Sequence, residues 1–216
     1  MLALYGHLFS SYTWKALIPL YANGTPFEFR DVSPDHPENG AFVQSAHPSG
    51  KFPVLADGDA TVFEATAIVE YLAVHHPGPA PLIPADPGEA VTARMMDRVF
   101  DNYVMNHLQR VVLAYIADAQ NPDPGILVSG RQELRRTYRW LERWLEGNAL
   151  PPHVSLVTCA AAPSLFYADW VERIPSDCPR LAALRAELLA LPSVARCVDD
   201  ARPYRGYFPL GAPDRD

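Results

Sequence analysis

The chain has 216 residues, which suits one large domain or two small ones. It is 49% apolar and 20% charged, the balance of a globular protein, and no apolar run approaches the roughly 18 residues that span a bilayer. A net charge of −7 argues against nucleic acid or an anionic membrane as partner. Cys159, Cys178 and Cys197 are odd in number and lack metal or redox spacing. They read as small buried hydrophobes in a reducing compartment. The opening Met-Leu-Ala-Leu-Tyr lacks the charge and length of a signal peptide, so a cytoplasmic location is expected.

In chain order, Leu2–Tyr5 reads as a strand and Ser10–Ala22 as a helix with Ala16, Leu17 and Leu20 at helical spacing. Asn23-Gly24 stops that helix. A second strand follows at Phe27–Val32, then a weak helix at Pro37–Ser45. A strand from Pro53, a turn at Asp57-Gly58-Asp59, a strand at Thr61–Phe63 and a helix at Ala65–His75 close the unit. The order β-α-β-α-β-β-α implies one mixed sheet flanked by helices, an α/β unit. Five prolines between Pro77 and Pro87 form a stiff linker. Residues 1–77 and 89–216 are therefore expected to be separate domains joined by residues 78–88. Beyond the linker only helical patterns appear: Glu89 to about Ala119, Ile126–Glu146, Ser155–Val171, Pro179–Ala190 and Ser193–Ala201. On the first of these, Met96, Phe100, Tyr103, His107, Val111 and Tyr115 share a stripe.

Chemistry concentrates at two places in the first unit. A proline at the mouth of a buried strand is unusual, because it removes a ladder donor. A cis Phe52-Pro53 bond would explain it, by turning the backbone of Phe52 outward to pair with an extended ligand. Glu64 sits where a helix begins, so its carboxylate and the free helix N–H groups can hold the ammonium and carboxylate of one zwitterion. The second place is Gly6-His-Leu-Phe-Ser-Ser-Tyr-Thr-Trp-Lys15, where Ser10 stands at a helix start. Its hydroxyl either caps the helix or points outward to a ligand thiol, where it and the helix end lower the thiol pKa.

The segments Leu-Tyr-Gly-x-x-x-Ser-Ser, His-Pro-Ser-Gly-Lys-Phe-Pro-Val-Leu and Glu-Ala-Thr-Ala-Ile-x-Glu-Tyr-Leu resemble, in order and spacing, those of the glutathione transferases of serine type, bacterial and zeta/theta-like. The resemblance implies a thioredoxin-like N-terminal domain followed by an all-helical domain. It implies glutathione as cosubstrate without a metal, detoxification chemistry, and a two-fold homodimer. Ser10, with Ser11 as substitute, matches the serine that hydrogen-bonds the glutathione sulfur. Lys51, Phe52 and Pro53 match the backbone clamp and its neighbour, and Glu64 and Ala65 the pair that binds the γ-glutamyl end. The implied reaction is attack of the thiolate on a small apolar electrophile, by conjugation, isomerisation or dehalogenation. The alternative is a binding or scaffold protein with weak or lost glutathione affinity.

Two departures from the family pattern bear on this choice. A serine usually follows the acidic residue where this chain has Ala65, and the sixth family helix usually opens Ser/Thr-x-x-Asp where this chain has Ser155-Leu-Val-Thr158. A cap made by Ser155 alone is expected there. Thr66 reads as a helix-surface residue. The zeta-type isomerase pattern Ser-Ser-Cys is here Ser10-Ser11-Tyr12. Leu8, Phe9, Tyr12, Tyr103 and His107 are candidates to line an apolar cosubstrate pocket, although aromatic residues and histidine at helical spacing also suit a core. Asp101 and Asn102 are weaker candidates for reaching glutathione. His75-His76 reads as a helix C-terminal cap rather than a metal site.

Overall fold

The computed structural model describes residues 1–216. Its first third builds a four-stranded sheet in the order β2-β1-β3-β4. The strands are β1 (Leu2–Gly6), β2 (Glu28–Asp31), β3 (Val54–Asp57) and β4 (Ala60–Phe63). β1 and β2 run parallel, which requires a crossover, and α1 (Ser11–Ala22) supplies it. β3 runs antiparallel to both β1 and β4. The β3–β4 hairpin turns on Gly58-Asp59, with Gly58 at φ +57, a value that a residue without Cβ adopts freely. Two further helices, α2 (Pro37–Ala46) and α3 (Ala65–His75), complete the thioredoxin-like unit.

Residues 76–86 hold no helix or strand, but they are anchored. The Asn23 carboxamide bonds both N–H and C=O of Ala80, and the Leu82 carbonyl accepts from the N–H of Leu156 at 2.8 Å. At the end of α3, His76 is the C-cap that the sequence suggested, its N–H donating to the Leu72 carbonyl at 3.0 Å, and its ring is paired as well. Its Nε2 lies 2.6 Å from Asp57 Oδ2, which also accepts from the Tyr71 hydroxyl.

The rest is helical: α4 (Pro87–Val99), a π-helical segment (Phe100–Met105), α5 (Asn106–Ala117), α6 (Pro124–Trp144), α7 (Leu156–Val171), α8 (Pro179–Ala190), α9 (Pro192–Ala201) and a 3-10 turn (Arg202–Tyr207). Every residue of α7 is buried. Trp14 of α1 packs against its Phe166 and Tyr167, with ring centroids 4.9 and 5.4 Å apart, so one core runs through both halves. The Ser155 cap is a correction to the sequence expectation. Thr158 completes a reciprocal box, its Oγ1 accepting from the Ser155 N–H at 3.2 Å while Ser155 Oγ accepts from the Thr158 N–H. A hydroxyl has lone pairs enough to do the work of the missing carboxylate.

The single helix expected from residue 89 to 119 is a rod interrupted by the π segment. There each N–H reaches one residue further back, so the chain turns less per residue and the faces slip. The buried path runs Met96, Phe100, Val104, Leu108, Val111, and not through Tyr103 and His107.

Charge also joins the two halves. Lys15 of α1 is only 1% exposed, with its ammonium 2.5 Å from Asp97 and 2.7 Å from Asp101, both on the helical side. It also donates to the Thr66 hydroxyl of α3 at 2.9 Å, and Thr66 in turn donates to Asp97. Arg98 contacts Asp97 and Thr66 from the solvent edge. Thr66 is thus part of this polar seam and not a free surface residue. Burial pushes the Asp101 carboxyl above its ordinary range against the pull of Lys15. Removing the Lys15 ammonium would leave two buried carboxylates with only the half-exposed Arg98 to balance them. Lys15→Met is therefore expected to cost about 3–5 kcal/mol in urea unfolding, and a loss under about 1 kcal/mol would show that the seam is dispensable.

Candidate active site

The site forms where β1 ends and α1 begins. Gly6 is required by proximity, since a Cβ there would meet Thr13 at 2.6 Å. The loop that follows is tied at each residue. The N–H of Phe9 donates to His7 Nδ1, Trp14 Nε1 donates to the Leu8 carbonyl at 2.7 Å, and the Tyr167 hydroxyl donates to the Phe9 carbonyl at 2.8 Å. Ser10 is the N-cap of α1, its Oγ accepting from the Thr13 N–H at 3.3 Å. Capping uses a lone pair and leaves the hydroxyl proton available to an acceptor outside the helix.

Across from this loop, the Phe52-Pro53 peptide is cis and leads into β3. Glu64 has φ +68, the only non-glycine residue of the chain in that region. A side chain there is held against steric preference, which marks a position set by something other than local propensity. Glu64 is the N-cap of α3, yet its side chain makes no capping bond. Its carboxylate is exposed instead, 3.8 Å from Nε2 of the buried His47, whose Nδ1 accepts from the N–H of Ser49. The first-turn N–H groups of α3, led by Ala65, are thereby free of a side-chain cap, the arrangement that favours an anion.

A groove of about 270 Å³ runs between these elements. It brings together Tyr12, Lys51, Phe52, Pro53, Glu64 and Ala65, all foreseen from sequence, and on the helical side Asp101 and Asn102. Ser10 and Ser11, half-buried at the start of α1, are not among its lining residues. Leu8 and Phe9 do not line it either. The Phe9 ring packs edge-on against Tyr167 at 5.4 Å, so both side chains belong to the core margin. Tyr103 and His107 are turned away by the π segment. They line a different groove with Glu133, Arg136, Thr137 and Trp140 of α6, where burial lowers the His107 pKa.

Sequence reasoning did not single out His47, Arg98, Asn106 and Gln109, which also line the groove. His47 opens the His-Pro-Ser-Gly-Lys segment. Asn102, Asn106 and Gln109 repeat at helical spacing, a signal masked by the apolar stripe beside them.

The family description "Glutathione S-transferase, N-terminal domain" matches residues 4–80, the segment that carries the loop, the cis-proline strand and Glu64. Residues 4–80 thus match a glutathione transferase N-terminal domain. The chain is similar to the GST-like protein YibF of Escherichia coli, 29% identical over 198 residues, covering 89% of this chain and 96% of YibF. A probable maleylacetoacetate isomerase of Vibrio cholerae is 27% identical over 94% of this chain and 97% of its own. A glutathione S-transferase of Methylobacterium radiotolerans, solved with glutathione sulfonate, has a TM-score of 0.76 and 25% identity, covering 91% of this chain and 94% of its own.

The strained residue gives a test of the geometry. Glu64→Gly removes the Cβ conflict and is expected to raise stability by about 1 kcal/mol in chemical denaturation. A loss of more than about 1 kcal/mol would mean that the Glu64 side chain holds the fold together.

Proposed function

We propose that the protein is a glutathione-dependent enzyme that binds the tripeptide along the groove and activates its thiol. The carrying observation is the convergence on one groove of the Phe52-Pro53 edge and the uncapped start of α3, with Tyr12, two residues after the Ser10 cap, on its α1 side. The backbone of Phe52 pairs with the cysteinyl unit. The γ-glutamyl carboxylate takes the N–H groups at Ala65, and its ammonium takes the Glu64 carboxylate. Lys51, exposed at the groove edge, reaches the glycyl carboxylate.

At the far end Ser10 donates to the sulfur, with Ser11 as the second hydroxyl within the same turn. A hydrogen bond that favours the charged form, at the positive end of α1, lowers the thiol pKa and raises the fraction present as nucleophile. In this reading residues 1–77 carry the glutathione site, 78–88 join the halves, and 89–216 bound the second substrate. A two-fold dimer and a cytoplasmic setting belong to the same reading; the three free, buried cysteines suit a reducing compartment.

One observation favours a second reading, a binding protein without turnover: the Ser10 hydroxyl caps its own helix and does not line the groove. Glutathione calorimetry and a thioether assay separate the two. Millimolar or tighter binding is expected, with Ser10→Ala lowering turnover about 10- to 100-fold and changing affinity little. A parallel Ser11→Ala variant shows which hydroxyl serves the sulfur. Absence of heat at about 10 mM glutathione would remove the enzyme reading.

A further inference from the structure

The two peptides that lead into Ser10 are each held at both ends. In the first, the Leu8 carbonyl accepts from Trp14 Nε1 and the Phe9 N–H donates to the His7 ring. In the second, the Phe9 carbonyl accepts from the Tyr167 hydroxyl at 2.8 Å and the Ser10 N–H donates to the His7 carbonyl at 2.9 Å. Trp14 and His7 belong to the same half as the serine. Tyr167, on α7, is the one partner drawn from the helical half.

The second peptide fixes the plane from which Ser10 departs, at φ −91. The side chain is then fixed by its bond from the Thr13 N–H at 3.3 Å. With backbone and χ1 both determined, rotation of the hydroxyl proton is the freedom that remains. Tyr167 is itself immobilised. It is 4% exposed, and its ring meets those of Phe166, Phe9, Trp14 and Trp170 at centroid distances of 4.9, 5.4, 5.4 and 5.6 Å. Burial pushes its phenol well above the ordinary range, so the hydroxyl stays a donor. The Phe9 carbonyl is that hydroxyl's one hydrogen-bond partner.

We infer that Tyr167 is a positioning residue for the Ser10 hydroxyl, a role that rests on the reading that Ser10 serves the glutathione sulfur. Without this donor the Phe9 carbonyl is released, the peptide plane turns, and the Ser10 Cα moves with it. A displacement of about 1 Å at a reacting group is enough to cost much of its effect. The helical half would thus govern thiol activation through a backbone carbonyl, without touching either substrate.

Tyr167→Phe keeps the ring and removes only the hydroxyl. Ionisation of the bound glutathione thiol, followed by thiolate absorbance against pH, is expected to move upward by about 0.5–1 unit. Below that midpoint kcat in the thioether assay should fall about 3- to 10-fold. Glutathione affinity by calorimetry should change less than about 2-fold, since the Phe52-Pro53 edge and the start of α3 are untouched. Tyr138→Phe is the control: it removes another buried hydroxyl, one that donates to the Glu172 carbonyl at 3.0 Å, and should leave the titration in place. In a Ser10→Ala background, Tyr167→Phe should add no further shift. A Tyr167→Phe titration that matches the parent, a shift that Tyr138→Phe reproduces, or a shift that persists without Ser10 would each overturn the inference. So would loss of folding or of glutathione binding in Tyr167→Phe, since the hydroxyl would then serve the structure at large. Those outcomes leave the reading beneath intact, whereas a parent that binds no glutathione, or a titration that Ser10→Ala does not move, removes it.

Discussion

The arrangement of the groove depends on one buried cation. Lys15 sits inside the junction of the two halves, and its ammonium is balanced only by carboxylates from the other side, Asp97 and Asp101. Such a pair adds little net stability relative to a well-packed apolar substitute, because desolvation offsets most of the attraction. It fixes relative placement instead, since any slide of the helical half would separate charges that have no water to turn to. The groove lies along that junction. Tyr12 on α1, Ala65 beside Thr66 on α3, and Asp101 beside Asn102 are each within a few residues of the seam.

The two sides of the groove are built on different principles. The thioredoxin-like side is backbone chemistry: a cis-proline strand edge, an uncapped helix start and a serine at another helix start. Such features suit a ligand that is itself a peptide, because extended backbone recognises extended backbone. The helical side is side-chain chemistry, where a face of carboxamides and acids meets whatever shares the groove. A fold can hold the first constant while the second changes, so a match confined to the first side leaves the second substrate open.

The π segment decides what that second face is. Had Phe100–Met105 been α-helical, the apolar stripe through Tyr103 and His107 would have continued in line with Met96 and Phe100. Slower rotation in the π segment hands the core positions to Val104 and Leu108 and sends Tyr103 and His107 toward α6. Hydrophobic periodicity alone could not show this, because it assumes a constant turn per residue. The same limit explains why Leu8 and Phe9 read as pocket residues. Their packing is fixed by Tyr167 and Trp14, which meet them only in three dimensions.

By itself the sequence determined the element order, the hairpin, the helical second half and the residues at the cis-proline and Glu64 edges. These follow from local rules of proline and glycine geometry, of capping and of apolar spacing, which act within a few positions along the chain. The tertiary structure alone decided the partners of Lys15, the completion of the Ser155 cap by Thr158, and the polarity of the helical wall. Each of these depends on desolvation or on helical phase summed over many residues, and burial of a charge has no meaning until the surface that covers it has been folded into place.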